Sequence, residues 1–305
     1  MNVRARVHRR HRTAPRGRQA SRAGRHAARR SVPTVYERAT AEQTRRAFGL
    51  PEDYRVDAVL ASGAWDLFSD SQHRPHLVQS LTDLGLGDLA TGDGPGSLRR
   101  LTHAQVGHTS EFVHEGRRVW FVPVMGTAVM SWYLHAACLL GARRIVLVGT
   151  VGGLSPSLHT ADLIVPNRSD GTHSAWMYHR SNDPATRPDP TMAASLARRL
   201  RAALPSGATI AEGPTTTCET ILAETAQDVA EWSAAGYLGV EMEAAVTFAI
   251  GRHFDIPAAA ALYVADTLLD EVGFLDPAYA DSAAARSHAR QVQYDVGLAE
   301  LLQLP

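Results

Sequence analysis

The sequence predicts an α/β protein in which the strands of a central sheet alternate with helices packed against it. Three observations support this class. Short apolar runs recur along the chain, such as residues 145–148 and 258–264. Longer segments with helical spacing of apolar residues, such as residues 127–140, lie between them. Glycine or proline marks many of the boundaries, and this alternation is typical of a layered α/β domain.

Each predicted strand is a short apolar run closed by a turn residue. The run at residues 56–62 ends at Gly63, and the run at 118–124 ends at Met125 and Gly126. Residues 145–148 are four apolar residues, too few for a helix, and fit a central strand. The other predicted strands are residues 163–165, 209–211, 237–240 and 258–264.

The predicted helices show apolar periodicity or a clear terminal signal. Residues 127–140 form a mostly apolar helix that Gly141 stops, and residues 190–204 form an amphipathic helix with Asp189 as its N-cap. The other predicted helices are residues 225–235, 242–254 and 282–302. The polar, proline-bearing segment 169–188 is predicted to be a long loop. We find no internal repeat and predict one domain over residues 33–305.

Charge separates an N-terminal tail from the rest of the chain. All 31 basic residues are arginine, and residues 1–30 hold 11 of them without any Asp or Glu. The remaining residues carry 20 Arg and 31 acidic residues, a net charge of −11. We predict residues 1–32 to be a disordered Arg-rich tail. A nucleic-acid-binding tail is the alternative, which the absence of interleaved aromatic residues does not favour.

Composition excludes several function classes. No apolar run is long enough to span a membrane, and no apolar core follows the basic start as it would in a secretory signal. The two cysteines, Cys138 and Cys218, form no CxxC pair, and none of the 14 His lies in a recognisable metal motif. We therefore predict a cytoplasmic protein that needs neither a metal nor another cofactor.

Three polar motifs follow predicted strands, the place where ligands bind in open α/β sheets. Residues 149–153, Gly-Thr-Val-Gly-Gly, predict a turn whose backbone N–H groups can approach an anion or a sugar. Glu241 and Glu243 open a predicted helix, as functional carboxylates or only as favourable partners of its dipole. Asp266 follows the last strand, as a functional acid or only as an N-cap.

Together and in this order, the motifs resemble those of the nucleoside phosphorylase superfamily, which includes purine nucleoside phosphorylases, uridine phosphorylases and methylthioadenosine/adenosylhomocysteine nucleosidases. Gly-Val-Glu-Met-Glu-Ala-Ala at 239–245 matches the family's most specific motif, and Val-Ala-Asp at 264–266 stands where the family has Val-Ser-Asp. Arg-Ser-Asp-Gly at 168–171 is similar to a uridine phosphorylase segment. The resemblance covers residues 55–270. It implies a three-layer α/β/α sandwich around a central mixed, partly closed β-sheet, and a homo-oligomer.

The resemblance also implies roles for single residues. Glu243 would accept hydrogen bonds from the ribose 2′- and 3′-hydroxyls, and Asp266 would be the general acid that protonates the leaving base. Met242 would pack under the sugar, and Thr150 would face its anomeric side or an anion bound there. The other predicted substrate-binding residues are Gly63, Met125, Val151, Gly152, Arg168, Ile221, Val240 and Glu241.

The predicted nucleophile depends on arginines that this chain lacks. Where the family's phosphorylases bind phosphate through arginine, the chain has Leu67, Leu147 and Ser110. Burying a dianion without cationic partners is costly, so we predict hydrolysis of a nucleoside, with a purine or purine-like base favoured. The alternatives are phosphorolysis at an atypical phosphate site and a catalytically weak nucleoside-binding protein. Asp66 is either a catalytic base for the attacking water or a solvated turn residue.

Overall fold

The computed structural model describes residues 39–63, 73–102, 106–107, 109–171, 173–180, 185–204, 209–270 and 273–303. In chain order the elements are α1 (Ala41–Ala47), β1 (Ala58–Gly63), α2 (Arg74–Asp83), α3 (Gly87–Thr91), β2 (Arg99–Arg100), β3 (Ser110–His114), β4 (Arg117–Val124), α4 (Thr127–Leu139), β5 (Ile145–Gly153), β6 (Leu163–Asp170), α5 (His173–His179), β7 (Ala185–Thr186), α6 (Pro190–Ala203), β8 (Ile210–Thr217), α7 (Ala226–Ala234), β9 (Gly239–Glu241), α8 (Ala244–Phe254), β10 (Ala258–Thr267) and α9 (Ala283–Leu302). The predicted tail at residues 1–32 lies outside the described residues. In the described part of the chain, no helix is long and apolar enough to cross a membrane.

The strands form one mixed sheet that closes on itself at one side. Its order is β2-β3-β4-β1-β5-β9-β8-β6-β10, with β7 paired to β6, and β10 returns to pair with β5. That last pairing is parallel, from Ala258 opposite Ile145 to Thr267 opposite Gly153. Strands β5, β9, β8, β6 and β10 therefore form a closed ring, and the other central strands extend from it as an open wing. This arrangement confirms the predicted mixed, partly closed sheet.

Alternating side chains of the central strands pack into two separate hydrophobic cores, one on each face of the sheet. On β5, Ile145 and Leu147 enter one core, and Val146 and Val148 enter the other. Helices α4 and α8 pack on the first face, and α6 and α9 on the second. Each apolar side chain of this size stabilises the fold by roughly 1.5–3 kcal/mol when it is fully buried. Burial on both faces explains why these strands are continuous apolar runs in the sequence.

The prediction of a turn at residues 149–153 is wrong. Strand β5 continues through Gly153 and stays paired with β10. The glycines serve close packing instead: a Cβ added at Gly152 would lie 2.6 Å from Leu268 Cδ1, and one at Gly153 would lie 3.0 Å from Val264 Cγ1. Glycine is therefore needed here because neighbouring side chains approach the strand closely, which local sequence does not reveal.

The predicted loop at residues 169–188 is also wrong. Strand β6 runs on to Asp170, and helix α5 and the short strand β7 follow it. The buried Ala175 of α5 packs against Ala245 and Ala249 of α8. Tertiary packing on α8 therefore stabilises a helix in a segment whose composition is that of a loop.

Candidate active site

One pocket lies where the ends of β1, β5, β9 and β10 meet. The structure brings eleven of the predicted site residues to its wall: Gly63, Met125, Thr150, Val151, Gly152, Ile221, Val240, Glu241, Met242, Glu243 and Asp266. Ala265, Phe274 and Tyr279 complete the lining. These residues are far apart in the sequence, and the carboxyl ends of the parallel strands bring them together. The predicted base Asp66 lies outside the described residues, and its role stays a prediction.

Glu243 is a pocket carboxylate whose position is fixed by several segments of the chain. It immediately precedes α8 and is 6% exposed. Its Oε1 accepts a hydrogen bond from the backbone N–H of Gly126 at 2.6 Å, between β4 and α4. Its Oε2 lies against β1, where a Cβ added at Gly63 would come within 2.5 Å of it. Three chain segments therefore fix this side chain, and position 63 must be glycine for the carboxylate to keep its place.

Burial in this pocket changes the acidity of Glu243. Desolvation and the neighbouring Glu241 raise the pKa of Glu243 to about 8, and the Gly126 N–H opposes that rise. The carboxyl group is therefore mostly protonated near neutral pH in the free protein. A ligand that donates two hydroxyl groups to it would favour the ionised form.

Glu241 has a structural role that differs from that of Glu243. Its Oε2 accepts the backbone N–H groups of Glu243, at 2.6 Å, and of Ala244. Its Oε1 accepts from the hydroxyl groups of Ser169, at 3.1 Å, and Thr217. Glu241 therefore caps the first N–H groups of α8, which the N-cap side chain itself does not. The helix-dipole interpretation left open by the sequence fits Glu241 and not Glu243.

Asp266 lies inside β10 rather than after it, so it is not an N-cap. The pairing of β10 with β5 shifts between Val264 and Asp266, and such a bulge re-aims a side chain. Asp266 is 7% exposed, and its Oδ2 accepts the backbone N–H of Phe274 at 3.1 Å. Burial raises the pKa of Asp266 to about 6, against the effects of that N–H and of Arg286. This carboxyl group can therefore hold a proton at the edge of the pocket.

Two aromatic residues of the pocket, Phe274 and Tyr279, were not predicted from the sequence. Both come from the segment between β10 and α9. The Arg286 guanidinium lies 3.4 Å from the Tyr279 ring centroid and donates a hydrogen bond to the Tyr279 carbonyl, so α9 holds this ring in place. Two aromatic residues in the connecting segment that follows Asp266 were the available signal.

The structure does not bring Arg168 to the pocket. It lies on β6, with its Nε 3.0 Å from Asp170 Oδ1 and its guanidinium 5.7 Å from the Tyr237 ring centroid. Leu147, at one position where arginine was sought, is buried in the core formed with α4 and α8. Ser110, at another, is buried at the start of β3 and does not line the pocket, and Leu67 lies outside the described residues.

Metal-ligating residues do not cluster in the described part of the chain. No group of three or more His, Cys, Asp or Glu residues there is arranged to hold a metal ion. The chemical groups of the pocket are its carboxyl groups, the hydroxyl groups of Thr150 and Tyr279, its apolar walls and its backbone.

Comparisons with known proteins are consistent with this fold. The family model described as the Phosphorylase superfamily matches residues 86–293, more than half of the chain. A search of curated proteins finds no match. A structure of the uridine phosphorylase from Vibrio fischeri ES114 complexed with 6-hydroxy-1-naphthoic acid is similar, with a TM-score of 0.64 and 14% identity over 84% of this chain and 95% of that chain. A second structure of that enzyme gives a TM-score of 0.64 and 15% identity, over 83% and 95% of the two chains. At these identities the likeness shows the fold.

Proposed function

Because the chain belongs to the phosphorylase superfamily, we propose that it is an enzyme that cleaves the N-glycosidic bond of a nucleoside by hydrolysis. One observation carries the proposal: two buried carboxyl groups with raised pKa values, Glu243 and Asp266, line the same pocket. Glycosidic cleavage needs a group that stabilises a cationic sugar and an acid that protonates the leaving base. The two carboxyl groups match these two needs.

Each carboxyl group has one task in the proposed reaction. Glu243, fixed by Gly126 and Gly63, accepts the hydrogen bonds of two sugar hydroxyls and releases its own proton to solvent. It thereby becomes the anion that faces the developing positive charge. Asp266 gives its proton to the base as the C–N bond breaks. The apolar Ile221, Val240 and Phe274 contact the flat base, and we propose a purine or purine-like base because its N7 can take the proton.

Water is the proposed nucleophile because the described wall of this pocket offers no cationic side chain to a phosphate ion. None of the described residues that line it is arginine, and the sequence has no lysine. Stripping a phosphate dianion of its water without cationic partners is unfavourable. The free thiols of Cys138 and Cys218 fit a reducing compartment, and we propose that the enzyme acts in the cytoplasm.

The deciding experiment measures base release from a panel of purine and pyrimidine nucleosides, with and without added phosphate, and identifies the sugar product. We expect base release in phosphate-free buffer and free sugar as the product. Sugar 1-phosphate as the main product would assign phosphorolysis at an atypical site instead. Binding of nucleosides without any base release would leave only a binding protein.

A further inference from the structure

The part of the chain that supplies most of the pocket wall is strongly acidic. Residues 202–285 contain 13 Asp or Glu residues and a single Arg, Arg252. Arg252 lies in the last turn of α8, a helix that begins at the pocket. Since each helical residue adds 1.5 Å, Arg252 is roughly 12 Å from the pocket along the helix axis. The pocket therefore has a negative surrounding on this side.

Residues 218–224, here called the rim segment, follow β8 along the edge of the pocket. The backbone N–H of Cys218 donates to the carbonyl oxygen of Glu241 at 2.8 Å, and Ile221 lines the pocket. The Cys218 thiol donates to Glu224 Oε1 at 3.1 Å. Hydrogen bonds at both of its ends thus hold the rim segment next to the pocket wall.

Glu219 of the rim segment lies on the side of the pocket that holds Glu243. Its Oε2 accepts a hydrogen bond from the Thr127 hydroxyl at 3.3 Å. The preceding residue, Gly126, donates its N–H to Glu243 Oε1 at 2.6 Å. Glu219 is exposed, and an exposed glutamate is ionised at neutral pH. In the proposed reaction Glu243 binds the sugar, so Glu219 is a negative charge that borders the sugar.

The second acidic residue of the rim segment, Glu224, acts on the other end of the pocket. Burial and the charge of Glu224 both raise the pKa of Asp266. Burial and the carboxylates of Glu241 and Glu243 likewise raise the pKa of the Cys218 thiol. The rim segment and the pocket therefore belong to one group of neighbouring negative charges.

The arginines of α9 do not offset these charges inside the pocket. Arg286 is 8% exposed and lies against the ring and the carbonyl of Tyr279. Tyr279 is among the described residues that line the pocket, and Arg286 is not. Arg290 lines an adjoining chamber of about 10 Å³. That is about the space of one ordered water molecule and too small for a phosphate group.

We propose that Glu219 and Glu224 are specificity-determining residues that make the enzyme select nucleosides and reject nucleotides. The inference rests on the proposed function, because it concerns the substrate of the same pocket. A phosphate group carries almost two negative charges near neutral pH. In a nucleotide it is attached to the sugar, the part of the substrate that Glu219 borders. Repulsion between like charges is a common means of excluding a wrong ligand, and an uncharged nucleoside does not experience it.

The test measures base release from adenosine, inosine and guanosine, from their 5′-monophosphates and from 5′-amino-5′-deoxyadenosine. The last compound carries a positive charge in place of the phosphate group. A carboxylate about 8 Å from a phosphate dianion in water weakens its binding about fivefold at low ionic strength. Wild type should therefore favour each nucleoside over its monophosphate by about 25-fold or more in kcat/KM. It should cleave the amino nucleoside at least as well as adenosine, and added salt should reduce both differences.

Charge-changing variants separate repulsion from a simple lack of space. Glu219→Gln and Glu224→Gln should each raise the kcat/KM of a monophosphate relative to its nucleoside by about fivefold, and Glu219→Arg by about 25-fold. Glu52→Gln is the matched control. It also removes one exposed negative charge, but Glu52 precedes β1 and so lies toward the amino ends of the strands, away from the pocket. This control should keep the wild-type ratio.

The ratio is measured with two substrates on the same sample, so partial unfolding of a variant lowers both rates equally and leaves the ratio unchanged. A ratio within about twofold of wild type for Glu219→Arg and for the Glu219→Gln/Glu224→Gln double variant would overturn the proposal.

The outcomes also distinguish this proposal from the proposed function. Base release is the readout, so the result does not depend on whether water or phosphate attacks the sugar. If wild type cleaves monophosphates as well as nucleosides, the proposal fails and the cleavage of the N-glycosidic bond stands. If wild type releases no base from either class of substrate, the proposed function itself fails and the inference falls with it.

Discussion

At the scale of single residues, the pocket gives Glu243 and Asp266 different surroundings. Glu243 is held by the Gly126 N–H and lies beside Glu241, whereas Asp266 lies at a bulge and accepts the Phe274 N–H. Burial raises both pKa values, yet the value for Glu243 is higher, about 8 against about 6 for Asp266. The two carboxyl groups should therefore respond differently to substitution and to pH.

Replacing the two carboxyl groups should affect different kinetic constants. Glu243→Gln should raise KM and lower kcat for every nucleoside, because the sugar loses a charged acceptor worth roughly 1–3 kcal/mol. Asp266→Asn should mainly lower kcat, by roughly 100- to 10,000-fold, and least for a nitrophenyl riboside whose leaving group needs no proton. Steady-state kinetics of both substrates with both variants checks this. Equal slowing of the two substrates by Asp266→Asn would remove its role as the acid.

The raised pKa of Glu243 also predicts how stability depends on pH. Since the folded-state pKa is about 8 against an ordinary 4.5, this group's contribution is fully present below about pH 4.5 and is lost as pH rises through 8. Glu243→Gln should therefore unfold at a higher temperature than wild type at pH 8 to 9. Thermal unfolding from pH 5 to 9 measures this, with exposed Glu52→Gln as the control. A stability difference that does not depend on pH would contradict the assigned cause.

At the scale of elements, the site depends on how α8 begins. Glu241 takes the capping role for this helix, so the neighbouring Glu243 side chain can face the pocket. Strands β6 and β8 run past their predicted ends, and these extensions bring Ser169 and Thr217 to Glu241. The position of the Glu243 carboxylate thus relies on a second carboxylate and two hydroxyl groups behind it.

Weakening this cap should destabilise the protein and displace Glu243. Glu241→Ala leaves the N–H groups of Glu243 and Ala244 without their acceptor, while the hydroxyls of Ser169 and Thr217 keep each other as partners. Buried polar groups left unsatisfied cost roughly 1–3 kcal/mol each, so the free energy of unfolding should fall by at least that amount. Denaturant unfolding and kcat measured on the same samples check the prediction. The exposed Glu231→Ala on α7 is the control, and a variant as stable and active as this control would disprove the capping role.

At the scale of the whole molecule, one exposed apolar surface predicts self-association. Val129 and Trp132 of α4 are exposed, Trp132 by 53%, although α4 belongs to an otherwise buried layer. The Trp132 ring centroid lies 5.8 Å from that of Phe48, and about half of the Trp132 side chain faces outward. Exposed aromatic groups of this kind commonly mark an interface. We propose that this face joins two copies of the chain.

Sedimentation at micromolar concentration tests the proposed interface. The wild type should sediment as a dimer or a larger assembly, and Trp132→Arg should shift it toward monomer because a charge would be buried in the interface. Leu84→Arg, on an exposed position of the other face, should leave the assembly unchanged. A fully active wild-type monomer would contradict this prediction.

The sequence by itself determined the fold class, most strand and helix positions and eleven of the residues that line the pocket. Strands buried on both faces are continuous apolar runs, and helices such as α6 carry their own cap, so local pattern predicts them. Glu243 and Asp266 were predicted as site residues because they belong to sequence motifs, which can be recognised without the tertiary structure. These signals are local, so they can be recognised in the sequence without knowledge of the tertiary structure.

Only the tertiary structure decided how those residues are used. It showed that Glu241 caps α8 whereas Glu243 faces the pocket, and it placed Asp266 at a bulge. It also showed that residues 149–153 belong to a closely packed strand. It also brought Tyr294 of α9 to Ser62 and His73, which lie more than 200 residues earlier in the chain. Acidity and hydrogen bonding depend on burial and on neighbours within a few ångströms, and those neighbours exist only once the sheet has closed.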